Sequence, residues 1–145
     1  LGIALSDTYT SEVFFKSFDK KFSKLFDGVR HDSADPIEFA QKTIDHYKSM
    51  GIDPISKTII FSDALDYEKV IRIANFCKGK IGYSFGIGTN FTNDVGLKPL
   101  NIVIKMTEAH PEHGEWNKVV KLSDEKGKYT GDPRTIELAK TILEI

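Results

Sequence analysis

Three short turns in the first half of the chain each combine an acid with a hydroxyl: Leu5-Ser6-Asp7, His31-Asp32-Ser33 and Phe61-Ser62-Asp63. Each turn ends a predicted strand, and successive turns are separated by the length of one strand and one helix. The carboxyl ends of parallel strands meet at one edge, where α/β proteins bind their ligands. We therefore predict that Asp7, Asp32 and Asp63 share one rim of a binding site.

Arg30-His31-Asp32-Ser33 contains residue types found in hydrolase triads. Neighbouring residues on a strand point to opposite faces, so they cannot form the convergent chain of hydrogen bonds that a triad requires. The same alternation places Arg30 and Asp32 on one face. There a guanidinium can bind carboxylate or phosphate, and a carboxylate can accept sugar hydroxyls or face a hydrated Mg²⁺. A purely structural pair of these two residues fits the tetrapeptide equally well.

Gly86-Ile87-Gly88-Thr89 is a candidate phosphate cradle. Glycines at a strand end let backbone N–H groups approach an anion, and the Thr89 hydroxyl adds a donor. The segment lacks the Gly-Lys-Ser/Thr ending of a Walker loop and does not complete the dinucleotide fingerprint. An ordinary glycine-rich turn fits the motif at least as well.

Helix capping is the default role of Ser6-Asp7 and of Ser62-Asp63, because both pairs precede helical patterns. Asp66 can cap the third helix instead, which would leave Asp63 free for a ligand.

Two other groups of reactive residue types have plainer interpretations. His110 and His113 flank a proline in a polar turn, and no further ligand lies at a suggestive spacing, which favours a solvated turn over a metal site. Cys77 lies on the apolar face of its predicted helix, so we assign it to the core.

The elements that must position these residues alternate between strands and helices, which predicts βαβ units and a parallel sheet. Predicted strands are Leu1–Leu5, a run ending at Val29-Arg30-His31-Asp32-Ser33, Thr58–Phe61 and Ile81–Phe85. The first helix carries a stripe of Phe14, Phe18, Phe22 and Phe26 and should end at Gly28. The second begins at Asp35-Pro36 and stops at Gly51, and the third closes near Gly79. Four strands make half a (β/α) barrel or a small open sheet.

The pattern changes in the last third of the chain. Leu100–Met106 and Trp116–Leu122 are predicted to form an antiparallel hairpin, and Asp132-Pro133 should begin a final helix.

Composition limits the classes of partner. Twenty Lys plus Arg against 21 Asp plus Glu leave a formal net charge of -1, which argues against nucleic acid or an anionic membrane as a nonspecific partner. The single cysteine excludes an internal disulfide and favours a reducing compartment. No apolar run has the length of a membrane span. We predict a cytoplasmic protein.

The ordered segments closely resemble the C-terminal part of the nicotinate phosphoribosyltransferase family. The segments that carry the resemblance are Leu1-Gly2-Ile3-Ala4-Leu5-Ser6-Asp7, Gly28-Val29-Arg30-His31-Asp32-Ser33, Gly51-Ile52-Asp53-Pro54, Phe61-Ser62-Asp63-Ala64-Leu65-Asp66, Ser84-Phe85-Gly86-Ile87-Gly88-Thr89, Lys98-Pro99-Leu100-Asn101-Ile102-Val103-Ile104-Lys105 and Lys121-Leu122-Ser123-Asp124. The resemblance implies an α/β fold that is part of an irregular (β/α) barrel of the type II phosphoribosyltransferase kind. Residues 1–95 would be the C-terminal half of the barrel. Residues 96–145 would be the hairpin and terminal helix, associated with a smaller β-rich domain.

The family resemblance also implies a reaction. Nicotinate and 5-phosphoribosyl 1-pyrophosphate would give nicotinate mononucleotide and pyrophosphate in NAD biosynthesis, with Mg²⁺ present, coupled ATP hydrolysis and a homodimeric enzyme. A nicotinamide-using relative and a noncatalytic sugar-phosphate-binding module are the alternatives. The family's phosphorylatable histidine belongs to a Gly-Thr-x-x-His-Glu-type segment that is not found in this sequence, so the 145 residues alone should be inactive.

Roles for individual residues follow from the same resemblance. Asp32 and Asp7 would hold the ribose hydroxyls, directly or through Mg²⁺, and Arg30 would meet the nicotinate ring and carboxylate or a nearby phosphate. Ser33 would contribute to substrate binding. The 5-phosphate would be held by Ser62, Asp63, Gly86, Gly88 and Thr89. Ala34 replaces the family's usual glycine, and it would be strained if that position needs a positive φ.

Overall fold

The computed structural model describes residues 2–100, 102, 104–125 and 127–145. Leu1, Asn101 and Val103, which fall within two of the predicted strands, lie outside the described residues.

A four-stranded parallel sheet forms the centre of the fold, as predicted. Its strands are β1 (Ile3–Leu5), β2 (Gly28–His31), β3 (Thr58–Phe61) and β4 (Gly82–Phe85). They are hydrogen-bonded in chain order, β1-β2-β3-β4, and every pair is parallel. Each strand therefore lies beside the next one along the chain, and all four carboxyl ends reach the same edge.

Helices connect the strands. They are α1 (Ser11–Ser17), α2 (Lys20–Leu25), α3 (Pro36–Ser49), α4 (Tyr67–Cys77) and a short α5 (Thr89–Thr92), with a 3₁₀ turn at Pro54–Ser56. The start of α3 is the predicted one: Asp35 is the N-cap, its side chain accepts from the backbone N–H groups of Ile37 and Glu38, and Pro36 is the first helical residue.

The single helix predicted for the phenylalanine stripe is wrong in detail, because the chain breaks it into α1 and α2. Asp19 interrupts the pattern and caps α2 by accepting from the Phe22 N–H. The break leaves Phe18 buried and Phe22 42% exposed, so the stripe is not one continuous core face.

The sequence pattern predicted that Gly28 ends the first helix, and this prediction is wrong. It opens β2, where a Cβ atom would lie 1.8 Å from the carbonyl oxygen of Thr58 on the neighbouring strand. Glycine is therefore required there by close approach of two backbones.

The core lies between the sheet and the helices on its face. Val29, Ile59 and Phe61 of the sheet pack with residues of α3 and α4 such as Tyr47 and Ile73, all fully buried. Burying each large apolar side chain contributes about 1.5–3 kcal/mol, so this layer stabilises the sheet that carries the strand ends. Cys77 belongs to the core as predicted, and burial raises the pKa of its thiol to about 11.

The predicted hairpin is present in shortened form. Its strands are β5 (Glu108–Ala109) and β6 (Asn117–Lys118), which pair antiparallel. The first strand falls after the predicted range Leu100–Met106, whose described apolar residues, such as Ile104, are exposed. Alternating apolar residues indicate a strand only where another strand pairs with them, and none does so among the residues described. The last helix, α6 (Pro133–Leu143), is capped by Asp132 as predicted.

Candidate functional site

The register of the parallel sheet brings the ends of its strands to one level. Leu5 pairs with Arg30, Arg30 with Ile60 and Ile60 with Ser84. Two residues further along each strand, the chain places Asp7, Asp32, Ser62 and Gly86 side by side on one rim. The backbone continues the pairing to this edge: Ser62 N–H donates to the His31 carbonyl at 3.1 Å, and Gly86 N–H donates to the Phe61 carbonyl at 2.8 Å.

Arg30, Asp32 and Ser62 form one connected polar network. Arg30 Nη2 donates to Asp32 Oδ1 at 3.1 Å, and Arg30 Nε donates to Ser62 Oγ at 2.8 Å. The single hydrogen of the Ser62 hydroxyl can be donated to either of two acceptors, the His31 carbonyl at 3.0 Å or Asp32 Oδ1 at 3.2 Å. The strand alternation thus places Arg30 and Asp32 on one face, and Ser62 of the neighbouring strand fixes both. About half of the Arg30 side chain remains exposed, so its guanidinium can still bind an anion.

Asp7 is the buried acid of the site. Its side chain is 1% exposed, and Oδ2 accepts from Ser33 Oγ at 3.1 Å. Its other oxygen, Oδ1, is buried and has no hydrogen-bond partner among the described residues. Asp32, by comparison, is 25% exposed, so it is the more accessible of the two acids.

Lys121 joins the two acids, and the sequence analysis gave it no role at the site. Its Nζ lies 3.4 Å from Asp7 Oδ2 and 3.5 Å from Asp32 Oδ2. Lys121 is far from both acids along the chain and falls within a predicted strand of the hairpin. The one sequence signal for Lys121 was that it lies in Lys121-Leu122-Ser123-Asp124, one of the segments that carry the family resemblance.

His31 takes no part in the polar network. Its side chain points to the opposite face of β2, where it is 1% exposed and lies against the rings of Phe39 and Phe61. Neither ring nitrogen has a hydrogen-bond partner among the described residues, and burial lowers the pKa of the imidazole. The exclusion of a hydrolase triad agrees with this placement.

The remaining predicted site residues lie at the ends of β3 and β4. Asp63 is half-buried and does not cap α4, because Asp66 does. Gly88 precedes α5 and Thr89 begins it, and both are exposed. A Cβ atom on Gly88 would meet nothing within 4 Å, whereas one on Gly86 would lie 3.3 Å from Ser62 Cβ. Gly86 brings no free amide to a phosphate, since its N–H is used by the sheet.

Two alanines after the strand ends have left-handed backbones. Ala34 follows β2 with a φ of 69°, and Ala64 occupies the matching position after β3 with a φ of 45°. Both precede the turn into an Asp-capped helix and both are exposed. The Ala34 position therefore does need a positive φ, and alanine is strained there relative to glycine.

The rim is open. A cavity of about 320 Å³ lies beside it, lined by residues that include Ser33, Asp35 and Asp124. Among the described residues, no three His, Cys, Asp or Glu side chains form a group that could hold a metal ion. Nor does any helix in this part of the chain have the length and apolar character needed to cross a membrane.

Comparisons with known proteins agree on one family. The sequence model of the "Nicotinate phosphoribosyltransferase (NAPRTase) family" matches residues 1–145. A nicotinate phosphoribosyltransferase of Chromohalobacter salexigens is 68% identical over all of this chain and 37% of its own length, and that of Desulforapulum autotrophicum is 53% identical over 99% of the chain and 37% of its own length.

Solved structures give the same answer. The crystal structure of nicotinate phosphoribosyltransferase from Porphyromonas gingivalis superposes with a TM-score of 0.94 at 48% identity, covering 100% of this chain and 38% of that one. A Vibrio cholerae structure of the same description superposes with a TM-score of 0.91 at 36% identity, covering 99% of this chain and 35% of that one. The chain thus spans little more than a third of the length of these relatives. It belongs to the nicotinate phosphoribosyltransferase family.

Proposed function

We propose that the complete protein containing this chain joins nicotinate to 5-phosphoribosyl 1-pyrophosphate, releasing nicotinate mononucleotide and pyrophosphate. The observation that carries the proposal is the connected network of Asp7, Arg30, Asp32 and Ser62 at the carboxyl ends of the strands. Membership of the family over the whole chain supports the choice of substrates.

The two carboxylates suit the chemistry of ribosyl transfer. Breaking the bond between C1 and pyrophosphate leaves positive charge on the ribosyl centre, and fixed negative charge nearby stabilises it. Asp32 is partly exposed and is held on three sides by Arg30, Ser62 and Lys121, so its carboxylate is fixed in orientation before substrate arrives. Asp7, buried beside it on the rim, adds a second carboxylate. Catalysis of this kind consists of positioning and electrostatics, without a protein nucleophile.

Arg30 supplies the anion-binding group beside the acids. Two of its nitrogens are committed to Asp32 and Ser62, which fixes the plane of the guanidinium. The rest of this half-exposed group can donate to the nicotinate carboxylate or to a neighbouring phosphate.

The 5-phosphate would lie at the end of β4. Gly88 and Thr89 are open to solvent, and the space around Gly88 allows an anion to approach the backbone closely. Ser62 and Asp63 lie at the end of the neighbouring strand and would border this subsite. Gly86 would serve by making room next to Ser62, since its amide is not available.

Mg²⁺ fits the site as a companion of the substrate. The donors here are carboxylate oxygens, which Mg²⁺ prefers, but both oxygens of Asp32 already have protein partners. We expect the ion to be held mainly by substrate phosphates and water, with Asp32 on its outer shell. When bound, the ion would neutralise charge on the pyrophosphate leaving group.

Further features of the whole enzyme follow as proposals. The strand order β1-β2-β3-β4, parallel throughout, is the order within a (β/α) barrel, and we propose that the four strands are part of one. Residues 1–95 would form that part, and residues 96–145 would join the smaller domain. Coupled ATP hydrolysis, a homodimer and a cytoplasmic location are proposed on the family resemblance alone.

The test is the reaction itself. The complete protein should form nicotinate mononucleotide from nicotinate and 5-phosphoribosyl 1-pyrophosphate in the presence of ATP and Mg²⁺, and should do so faster than with nicotinamide. Asp32→Ala should lower kcat by about 10²–10³-fold, the scale for removing one preorganised electrostatic group. Asp45→Ala, which removes an exposed acid on α3, is the matched control and should keep wild-type kcat. A wild-type protein that forms no mononucleotide would refute the proposed function.

A further inference from the structure

Lys121 is the only described cation placed against both acids of the rim at ion-pair distance. Its Nζ approaches the same oxygen type on each, Oδ2 of Asp7 and Oδ2 of Asp32, at 3.4 and 3.5 Å. These distances are typical of ion pairs and longer than those of short hydrogen bonds. The ammonium therefore lies between the two carboxylates without being bound tightly to either. Asp7 has few other partners: Ser33 donates to the same oxygen, and Oδ1 has none among the residues described.

The segment that carries Lys121 is anchored to the strand ends by its backbone and its neighbours. Leu122 is 1% exposed, and its N–H donates to the Thr8 carbonyl at 2.9 Å. Asp124 accepts from both the N–H and the hydroxyl of Ser11, at 2.8 and 2.5 Å. Lys121 also exchanges both backbone hydrogen bonds with Thr130, at 2.9 and 2.8 Å. The backbone that carries Lys121 is therefore held beside the strand ends, which keeps the ammonium of its 40% exposed side chain within reach of both acids.

The placement of Lys121 reduces the electrostatic repulsion between the two acids. Two carboxylates on adjacent strand ends repel each other, and Asp7 is buried, where an uncompensated charge is costly. One ammonium offsets one of the two negative charges, and its three donors can contact both carboxylates and fix the spacing between them. Arg30 supplies the second positive charge, beside Asp32. Arg30 does not bridge the pair, since of the two acids it contacts only Asp32, at Oδ1.

We infer that Lys121 is the positioning residue of the acid pair, holding Asp7 and Asp32 at the separation that ribosyl transfer needs and keeping free divalent cations off them until substrate binds. The inference rests on the proposed function for its catalytic part. Its second part, the exclusion of divalent cations, concerns the protein without substrate and can be measured on its own.

The kinetic test compares Lys121→Met with Lys121→Arg in the complete protein. Loss of positioning should lower kcat for mononucleotide formation by about 10²-fold, while KM for 5-phosphoribosyl 1-pyrophosphate changes by less than about 3-fold. Lys121→Arg keeps the charge and should recover at least about one tenth of wild-type kcat. Lys118→Met is the matched control, because Lys118 also pairs with one acid, Asp132, at 3.4 Å but away from the rim, and it should leave kcat unchanged.

The second measurement needs no turnover. Mn²⁺ alone is titrated into substrate-free protein and followed by electron paramagnetic resonance. Lys121→Met should bind Mn²⁺ at least about 10-fold more tightly than wild type, because Asp7 would then lack a cation and Asp32 would keep only Arg30. Lys118→Met should match wild type, and adding Asp7→Asn to Lys121→Met should abolish the gain.

The outcomes separate the two proposals. Equal Mn²⁺ affinity in wild type and Lys121→Met overturns the inference, whatever the activity. A raised KM with unchanged kcat also overturns it, since it would make Lys121 a direct substrate ligand. A wild-type protein without activity that still shows the Mn²⁺ difference refutes the proposed function and leaves the cation-balancing role supported.

Discussion

Replacing Ala34 by glycine should stabilise the protein, because its backbone has a φ of 69° in the turn between β2 and α3. A left-handed conformation costs a residue with a Cβ about 1–2 kcal/mol, and glycine avoids that cost. Glycine also loses more backbone entropy on folding, about 0.5–1 kcal/mol relative to alanine. The Ala34 side chain is exposed, so little packing is lost. The net expectation is a gain of about 0.5–1 kcal/mol in the free energy of unfolding.

The assay is thermal unfolding of the complete protein, followed by calorimetry. This chain covers 37% of the length of its relatives. The unfolding entropy of a protein is about 2 cal/mol/K per residue. For a protein as long as the full-length relatives, a change of about 1 kcal/mol in the free energy of unfolding therefore shifts Tm by about 1 °C. Ala34→Gly should therefore raise Tm by about 0.5–1 °C. Ala74→Gly is the matched control of opposite sign: Ala74 lies inside α4, where glycine should cost about 1 kcal/mol.

The Tm values of Ala34→Gly and Ala74→Gly together test whether the turn at Ala34 is strained. If Ala34→Gly lowers Tm as much as Ala74→Gly does, the turn carries no backbone strain and the argument from its φ is wrong. Ala64→Gly repeats the test at the corresponding position after β3, where φ is 45°, and should also raise Tm.

Two further predictions concern the phosphate subsite and the buried histidine. Thr89→Val should raise KM for 5-phosphoribosyl 1-pyrophosphate by about 10-fold or more, because one hydrogen bond to a charged group is lost. Steady-state kinetics measure this, with Thr141→Val, an exposed threonine of α6, as the control. A wild-type KM in Thr89→Val would contradict the subsite. Burial lowers the pKa of His31, so the unfolded chain binds more protons than the folded one below pH of about 6.5. The free energy of unfolding should therefore fall as pH drops through that range. Urea titrations at several pH values should show a smaller dependence of this free energy on pH in His31→Gln than in wild type. An equal dependence in both proteins would show that His31 does not cause it.

Most of the sheet could be predicted from sequence because its signals are local. Thr58–Phe61 is a β-branched run between turn residues, and it forms β3 with the predicted bounds. Asp35-Pro36 starts α3 for reasons contained in those two residues. The pairing of Arg30 with Asp32 follows from alternation along one strand.

The errors share a physical cause, which is that their determinants lie elsewhere in the chain. Gly28 reads as a helix end in sequence, but its need for glycine comes from the Thr58 carbonyl of another strand. Leu100–Met106 has the alternation of a strand but pairs with nothing among the described residues. Lys121 could not be assigned, since an isolated lysine has no spacing relation to Asp7 or Asp32, and only the folded chain brings them together.

The backbone hydrogen bond from Leu122 to Thr8, with the contact between Asp124 and Ser11, has a consequence for how the molecule is divided. A boundary near residue 95, reasonable from the change in pattern, cuts through the chemistry, since the acids and their cation come from opposite sides of it. Polypeptides severed in the exposed turn between β5 and β6 would still have to find each other before the acid pair is complete. On the proposed function, both stretches must therefore be present together, and any stretch substituted for one of them has to reproduce that contact.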